Sequence, residues 1–118
     1  NLIENISNLA PIILKNNIAL TAGGFTAYEL VALSTPSIGR ALWKNQYNNI
    51  KCLSQQGGLI PLYYPQIKNF DKELAKELSR LINNDSLVMN MTKKARNIID
   101  GNGADKISQK ITRYYEQK

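Results

Sequence analysis

In TAGGFTAYEL, residues 21–30, two glycines separate a short apolar run from a helical pattern, and this arrangement indicates the fold class. The preceding run, residues 18–22, reads IALTA and is typical of a buried strand. From Phe25 to Leu33 the apolar residues recur at helical spacing. The stretch therefore predicts a strand, a tight turn and a helix in direct succession.

The same succession repeats downstream. Pro36 ends the first helix, residues 37–42 are predicted to form a second strand, and residues 46–56 a second helix. Gly57 and Gly58 stand where a helix C-cap is expected, and a third strand is predicted at residues 59–63. Strands alternating with helices at this spacing indicate the α/β class, with a Rossmann-like parallel sheet layered by helices.

The chain outside this unit is predicted to be helical. Helix caps are predicted at Ser7, Asn69 and Asp85, and a last helix at residues 104–115 follows the turn at residues 100–103. The apolar residues that define the later helices are Phe70, Leu74, Leu78, Leu81, Leu87, Met91, Ala95, Ile98, Ile107 and Ile111.

Three predicted strands are few for such a sheet, which commonly has about five or six. We therefore expect residues 1–118 to share a single core and to form the later part of a larger domain. A sheet edge would then be bare, and we expect a second copy of the chain or a terminal segment to pair with it.

The composition narrows the class of function. The chain has one cysteine, Cys52, and no histidine, so neither an internal disulfide nor a zinc site is expected, and no cofactor is predicted. No apolar run is long enough to span a membrane. The net charge of +6 is spread along the chain without interleaved aromatics, so nucleic acid is not an expected partner. A cytoplasmic location is expected, and peripheral attachment at a membrane stays open.

The glycine turn carries the strongest chemical signal. A helix that begins at Gly23 and Gly24 presents free amides and the positive end of its dipole, which suit phosphate oxygens near Phe25, with the Thr26 hydroxyl as a further donor. Neither a Gly-x-Gly-x-x-Gly pattern nor a Walker loop is present. A sharp turn without a ligand is the alternative.

Polar residues follow on both helices. The carboxylate of Glu29 lies one turn after Thr26 and can accept hydrogen bonds from a ribose diol; the alternatives are a solvated carboxylate or an ion pair with Arg40. Gln46 and Asn49 share one face of the second helix and can bind sugar hydroxyls. Simple capping by Asn45 or Gln46 is the alternative there.

The segment AGGFTAYELVALSTPSI, residues 22–38, together with NQYNN, residues 45–49, resembles the C-terminal domain of GT-B glycosyltransferases of the MurG type (family 28-like). It is also similar to the UDP-sugar hydrolase of pseudaminic acid synthesis and to spore-coat polysaccharide proteins. IDGNGADKI, residues 99–107, is similar to the ending of the hydrolase group. The resemblance covers nearly the whole chain from Asn5.

The resemblance implies a role for each of these positions. Diphosphate would be bound by the helix tip at residues 23–26, ribose by Glu29, and the sugar by Gln46 and Asn49, while uracil would lie near Ile3. Two residues depart from the pattern. Ser34 replaces a glycine before the proline, and Lys44 stands where an acidic or small residue is common, which leaves the sugar open.

In that family an N-terminal domain supplies the acceptor site and the catalytic base. The chain is therefore expected to be the UDP-sugar-binding portion of an enzyme that transfers or hydrolyses a glycosyl group, inactive without that domain. The catalytic residues stay unassigned, because the acidic residues lie far in sequence from the predicted pocket; these are Asp71, Glu73, Asp85 and Asp105. A non-catalytic α/β module that binds protein or RNA is the alternative.

Overall fold

A computed structural model describes residues 2–63 and 69–117 as a parallel three-stranded sheet with helices on both faces. The strands are β1 (Ala19–Ala22), β2 (Ser37–Arg40) and β3 (Ile60–Leu62), in the spatial order β1-β2-β3. The helices are α1 (Ala10–Ile13), α2 (Phe25–Ala32), α3 (Tyr47–Gln55), α4 (Phe70–Ile82), α5 (Asp85–Ala95) and α6 (Gly103–Glu116), and a 3-10 turn covers Lys44–Gln46. The predicted α/β class and parallel sheet are confirmed.

The strand register aligns the carboxyl ends of the sheet. Ala22 of β1 lies beside Arg40 of β2, and Arg40 lies beside Leu62 of β3. Because all three strands run the same way, the loops that follow them emerge at one edge of the sheet. The glycine turn and the loop before α3 are therefore neighbours.

Two apolar clusters hold the layers together. On one face, α2 and α3 bury Val31, Ile50 and Leu53 against the sheet. On the other face, Ile38 packs with Leu81 of α4 and with other residues of α4, β3 and α5. Ile38 and Gly39 face opposite ways because side chains alternate along a strand. A Cβ on Gly39 would lie 2.6 Å from Cδ1 of Ile50, so glycine lets α3 approach the sheet closely.

Two helices end in the same hydrogen-bond pattern. At the end of α3, the amide of Gly57 donates to Ser54 and that of Gly58 to Leu53, which confirms the predicted glycine C-cap. Gly57 has a φ of +80°, which glycine adopts without strain. At the end of α2 the amides of Ser34 and Thr35 donate in the same way to Val31 and Leu30, and Ser34 has a φ of +58°, a left-handed conformation that glycine adopts more readily.

The boundaries of several elements differ from the predicted ones. β2 ends at Arg40 rather than Leu42, because the amide of Leu42 donates to Oε1 of Gln46 instead of to a strand. α5 ends at Ala95, so Ile98 lies beyond it and packs with the cluster around Val31. α6 begins at Gly103, one residue earlier than predicted.

The predicted helix caps are partly wrong. The side chain of Asn8, not of Ser7, accepts a hydrogen bond from the amide of Ala10. α5 is capped by Asn84 rather than Asp85, because Oδ1 of Asn84 accepts from the amide of Leu87 at 2.9 Å. Asn69 occupies the cap position of α4, but its side chain makes no capping hydrogen bond.

Parts of the described surface are left uncovered. β1 and β3 each pair only with β2, so each has one edge without a partner strand among the described residues, and Leu20 of β1 is 55% exposed. Every residue of α6 is exposed, including Ile107 and Ile111. Within residues 2–63 and 69–117, no helix is long and apolar enough to cross a membrane.

Candidate functional site

The amino end of α2 is open to solvent. Gly24 is its N-cap, and a Cβ built on this glycine meets no atom within 4 Å. Phe25, the first helical residue, is 90% exposed. Within residues 2–63 and 69–117 no acceptor receives a hydrogen bond from the amides of Phe25 and Thr26. The tip therefore presents unpaired N–H groups and the positive end of the helix dipole.

The neighbouring glycine, Gly23, lies in the opposite environment. It is buried, and a Cβ on it would lie 2.8 Å from both Cβ and the carbonyl oxygen of Gln46 and 2.9 Å from Cγ1 of Ile50. Glycine is needed here because α3 passes directly over the turn. Gly23 thus allows the turn after β1 to pack against the start of α3, while Gly24 borders the open space beside this contact.

Asn49 joins the two helices to the glycine turn. Its Nδ2 donates to the carbonyl oxygen of Gly23 at 2.9 Å, and its Oδ1 accepts from the hydroxyl of Tyr28 at 3.0 Å. Both ends of the amide are therefore engaged within the protein. A sugar could use only the second N–H and the remaining lone pairs.

Gln46 is oriented by the loop that precedes it. Its Oε1 accepts a hydrogen bond from the amide of Leu42 at 3.0 Å. Its side chain makes no capping bond to α3, so simple capping by Gln46 does not occur. Within the part of the chain that is described, Nε2 of Gln46 has no acceptor, and its two N–H groups stay available to a ligand.

Glu29 lies on the outer surface of α2, exposed to solvent. The ion pair with Arg40 that the sequence left open does not form, because the Arg40 guanidinium lies over the ring of Phe70, 3.8 Å from its centre. The side chain of Glu29 makes no ion pair or hydrogen bond in the described chain, although its backbone carbonyl accepts from the amide of Leu33. Its carboxylate remains available to accept hydrogen bonds.

Tyr28 is a contact residue that the sequence did not reveal. It is 21 positions from Asn49, and no spacing rule links two residues on different helices. For Phe70 the sequence likewise predicts only a place on a helix face, yet its ring contacts the Arg40 guanidinium at the carboxyl edge of the sheet. The signal in both cases is an aromatic residue on a helix, which by itself also fits an ordinary core position.

The amino end of α2 differs from those of α4, α5 and α6 in its acidic residues. The first turn of α2 contains no acidic residue. Asp71 and Glu73 lie in the first turn of α4, Asp85 begins α5, and Asp105 lies in the first turn of α6. Residues 2–63 and 69–117 contain no group of three or more histidine, cysteine, aspartate or glutamate side chains that could hold a metal ion.

One carboxyl group outside this site has a perturbed pKa. The Lys106 ammonium group donates to Asp100, and the amide of Asn102 donates to it as well. These contacts, with the Lys106 hydrogen bond the largest cause, hold the pKa of Asp100 below its ordinary value. Asp100 belongs to the turn before α6, so its charge stabilises that turn rather than a ligand.

Comparison with known proteins finds a distant relative that matches nearly the whole chain. The chain is 24% identical over 117 residues to the spore coat polysaccharide biosynthesis protein SpsG of Bacillus subtilis (strain 168). The alignment covers 99% of this chain and 34% of the relative, so the chain spans about one third of that protein's length. No family model and no solved structure matches the chain. The likeness supports a distant, glycosyltransferase-like relationship, in line with the spore-coat group that the sequence resembles.

Proposed function

We propose that the chain binds the nucleoside diphosphate of a UDP-sugar at the amino end of α2. It would act as the donor-binding portion of a glycosyltransferase-like enzyme that transfers the sugar or hydrolyses its bond to UDP. The observation that carries this proposal is the contrast within the glycine pair. A substituent on Gly23 would collide with α3, whereas the space at Gly24 is empty and adjoins unpaired amides.

The diphosphate would accept hydrogen bonds from the amides of Phe25 and Thr26. These donors are held in place before the ligand arrives, because Asn49 fixes the carbonyl of Gly23 and the buried side of α2 packs into the core. Fixed donors lose little freedom on binding. When the bond between sugar and diphosphate breaks, the same amides would stabilise the charge that develops on the leaving group.

The proposed contacts to the ribose and the sugar use side-chain groups that have no partner within the described chain. Glu29 would accept hydrogen bonds from the ribose hydroxyls through its exposed carboxylate. Gln46 would donate to the sugar through Nε2, since its oxygen is bonded to Leu42. Asn49 would act mainly by holding the turn, with one N–H left for the sugar. The catalytic base and the acceptor site would come from a second domain.

Calorimetric titration with UDP and UDP-N-acetylglucosamine tests the proposal. Gly24→Ala puts a methyl group in the path of the diphosphate, and we expect it to weaken UDP binding roughly tenfold or more by displacing charged hydrogen bonds. Glu29→Gln should weaken binding of UDP more than binding of pyrophosphate, because only UDP carries ribose.

Gly103→Ala is the matched control. Gly103 also lies at the amino end of a helix and also has open space where its Cβ would be. This variant should bind UDP as the unchanged protein does. Failure to bind UDP would refute the donor site, and equal, strongly salt-dependent RNA binding by all the variants would favour the interaction module instead.

A further inference from the structure

A small hollow lies next to the glycine turn, on the sheet face covered by α4. It has a volume of about 210 Å³, and its lining residues are Leu20, Thr21, Ala22, Arg40, Leu42 and Phe70. These residues come from the ends of β1 and β2, the loop after β2 and the start of α4. The residues of the hollow are therefore distant in sequence, but the sheet brings them together at the carboxyl ends of neighbouring strands.

Arg40 is the charged group of this hollow. Arg40 is partly buried, and the central carbon of its guanidinium lies over the Phe70 ring, 3.8 Å from the ring centre. Arg40 has no carboxylate partner among the described residues, and residues 64–68 contain no aspartate or glutamate. A partly buried guanidinium normally gains from a planar anion, because its donors form a fork that matches a carboxylate.

The position of the hollow connects it to the tip of α2. Ala22 lines the hollow and directly precedes Gly23, and its register partner is Arg40. The volume is below the roughly 300 Å³ of pockets that hold a complete small ligand. The hollow thus suits one ring or substituent of a ligand whose main anchor lies elsewhere.

We propose that this hollow binds the carboxylate-bearing part of an acidic sugar, so that the ligand is a UDP-uronic acid. The inference rests on the proposed function, because α2 must hold the diphosphate for the sugar to extend toward Arg40. The carboxylate forms an ion pair with the Arg40 guanidinium. The apolar walls formed by Leu20, Leu42 and Phe70 reduce the contact of that pair with water and contact the C–H groups of the ring.

The test compares UDP-glucuronate with UDP-glucose, which differ only in the carboxylate. We expect the unchanged chain to bind UDP-glucuronate about tenfold more tightly or better, as a charged hydrogen-bonded pair implies. Arg40→Gln should reduce this preference to about one while UDP itself binds as before. Arg40→Lys should keep part of the preference, because the charge remains and the fork is lost.

Two further variants make the result specific. Arg113→Gln removes one positive charge from the exposed helix α6 and should leave the preference unchanged. Leu20→Glu places a carboxylate at an exposed position of the hollow, where it should occupy Arg40 and abolish the preference without a change in the core. This second route does not depend on whether Arg40→Gln folds.

The outcomes separate the two proposals. If UDP does not bind, the donor site and the acidic-sugar site are both refuted. If UDP binds but glucuronate brings no gain, or if the gain survives Arg40→Gln and Leu20→Glu, the acidic-sugar site is wrong and the donor site stands. Loss of the preference in Arg113→Gln would show a general charge effect and would also overturn it.

Discussion

Helices α3 and α6 have similar apolar spacing but opposite surroundings. α3 buries Ile50 and Leu53 completely, whereas Ile107 and Ile111 of α6 are 61% and 54% exposed. The difference comes from the sheet, because α3 follows a strand and returns to the next one, while α6 follows a turn and meets no layer in the described chain. Periodicity therefore predicts that a helix forms, but not what it packs against.

The largest effect is expected where α3 meets the sheet. Ile50→Ala removes a side chain that fills the space above Gly23 and Gly39, and the resulting cavity should lower the free energy of unfolding by about 2–5 kcal/mol. Ile111→Ala should change it by less than about 0.5 kcal/mol because the side chain is exposed. Urea unfolding followed by circular dichroism measures both. Equal losses would mean that α6 packs against the fold after all.

A second comparison lies within the glycine pair. Gly23→Ala forces the backbone of Gln46 away and should cost about 1–3 kcal/mol of stability through overpacking. Gly24→Ala should cost less than about 1 kcal/mol, since it changes only an N-cap whose Cβ position is empty. Thermal unfolding of the two variants distinguishes them. The reverse order would contradict the assignment of Gly23 to packing and of Gly24 to the ligand side.

Helix caps offer a smaller contrast. Asn84→Ala removes the hydrogen bond to the amide of Leu87 and should cost about 1 kcal/mol. Asn69→Ala should cost only a few tenths, because the side chain of Asn69 makes no capping bond. Chemical denaturation of matched samples resolves this difference. A cost for Asn69→Ala as large as that for Asn84→Ala would show that the cap position itself, not the hydrogen bond, matters.

The smallest expected effect concerns the turn before α6. Lys106→Met should raise the pKa of Asp100 toward its ordinary value by removing the strongest hydrogen bond to the carboxylate. Because this pKa is lowered in the folded chain, the stabilisation exists at neutral pH and is lost as the pH falls through the folded-state pKa. Carbon-detected NMR titration measures the shift. Lys110→Met should leave it unchanged, and an equal shift in both variants would indicate a general charge effect.

The sequence predicted the sheet well because its signals are local. Gly57, Pro36 and the apolar run before Gly23 each restrict the backbone within a few residues. The wrong predictions of helix caps involve adjacent polar side chains that compete for the same cap position. Asn84 and Asp85 are both good caps, and only the position of the Leu87 amide decides between them.

The candidate site was predictable only in part. Residues of the glycine turn and of the loop before α3 were expected together, because parallel strands bring their carboxyl ends to one edge. The contact partners of those side chains could not be predicted, because the Tyr28–Asn49 and Arg40–Phe70 contacts depend on how the helices cross the sheet. Sequence spacing contains no information about such crossings.

The side-chain amide of Asn49 ties the turn after β1 to the start of α3, so that a shift of one moves the other. A substitution at Asn49 would release the Gly23 carbonyl as well as the hydroxyl of Tyr28, so at the proposed site the diphosphate and sugar contacts would change together. Lys44 is exposed and lies outside this network. If the proposed site binds a sugar, Lys44 is therefore the position at which a substitution should change sugar preference without breaking the Asn49 hydrogen bonds.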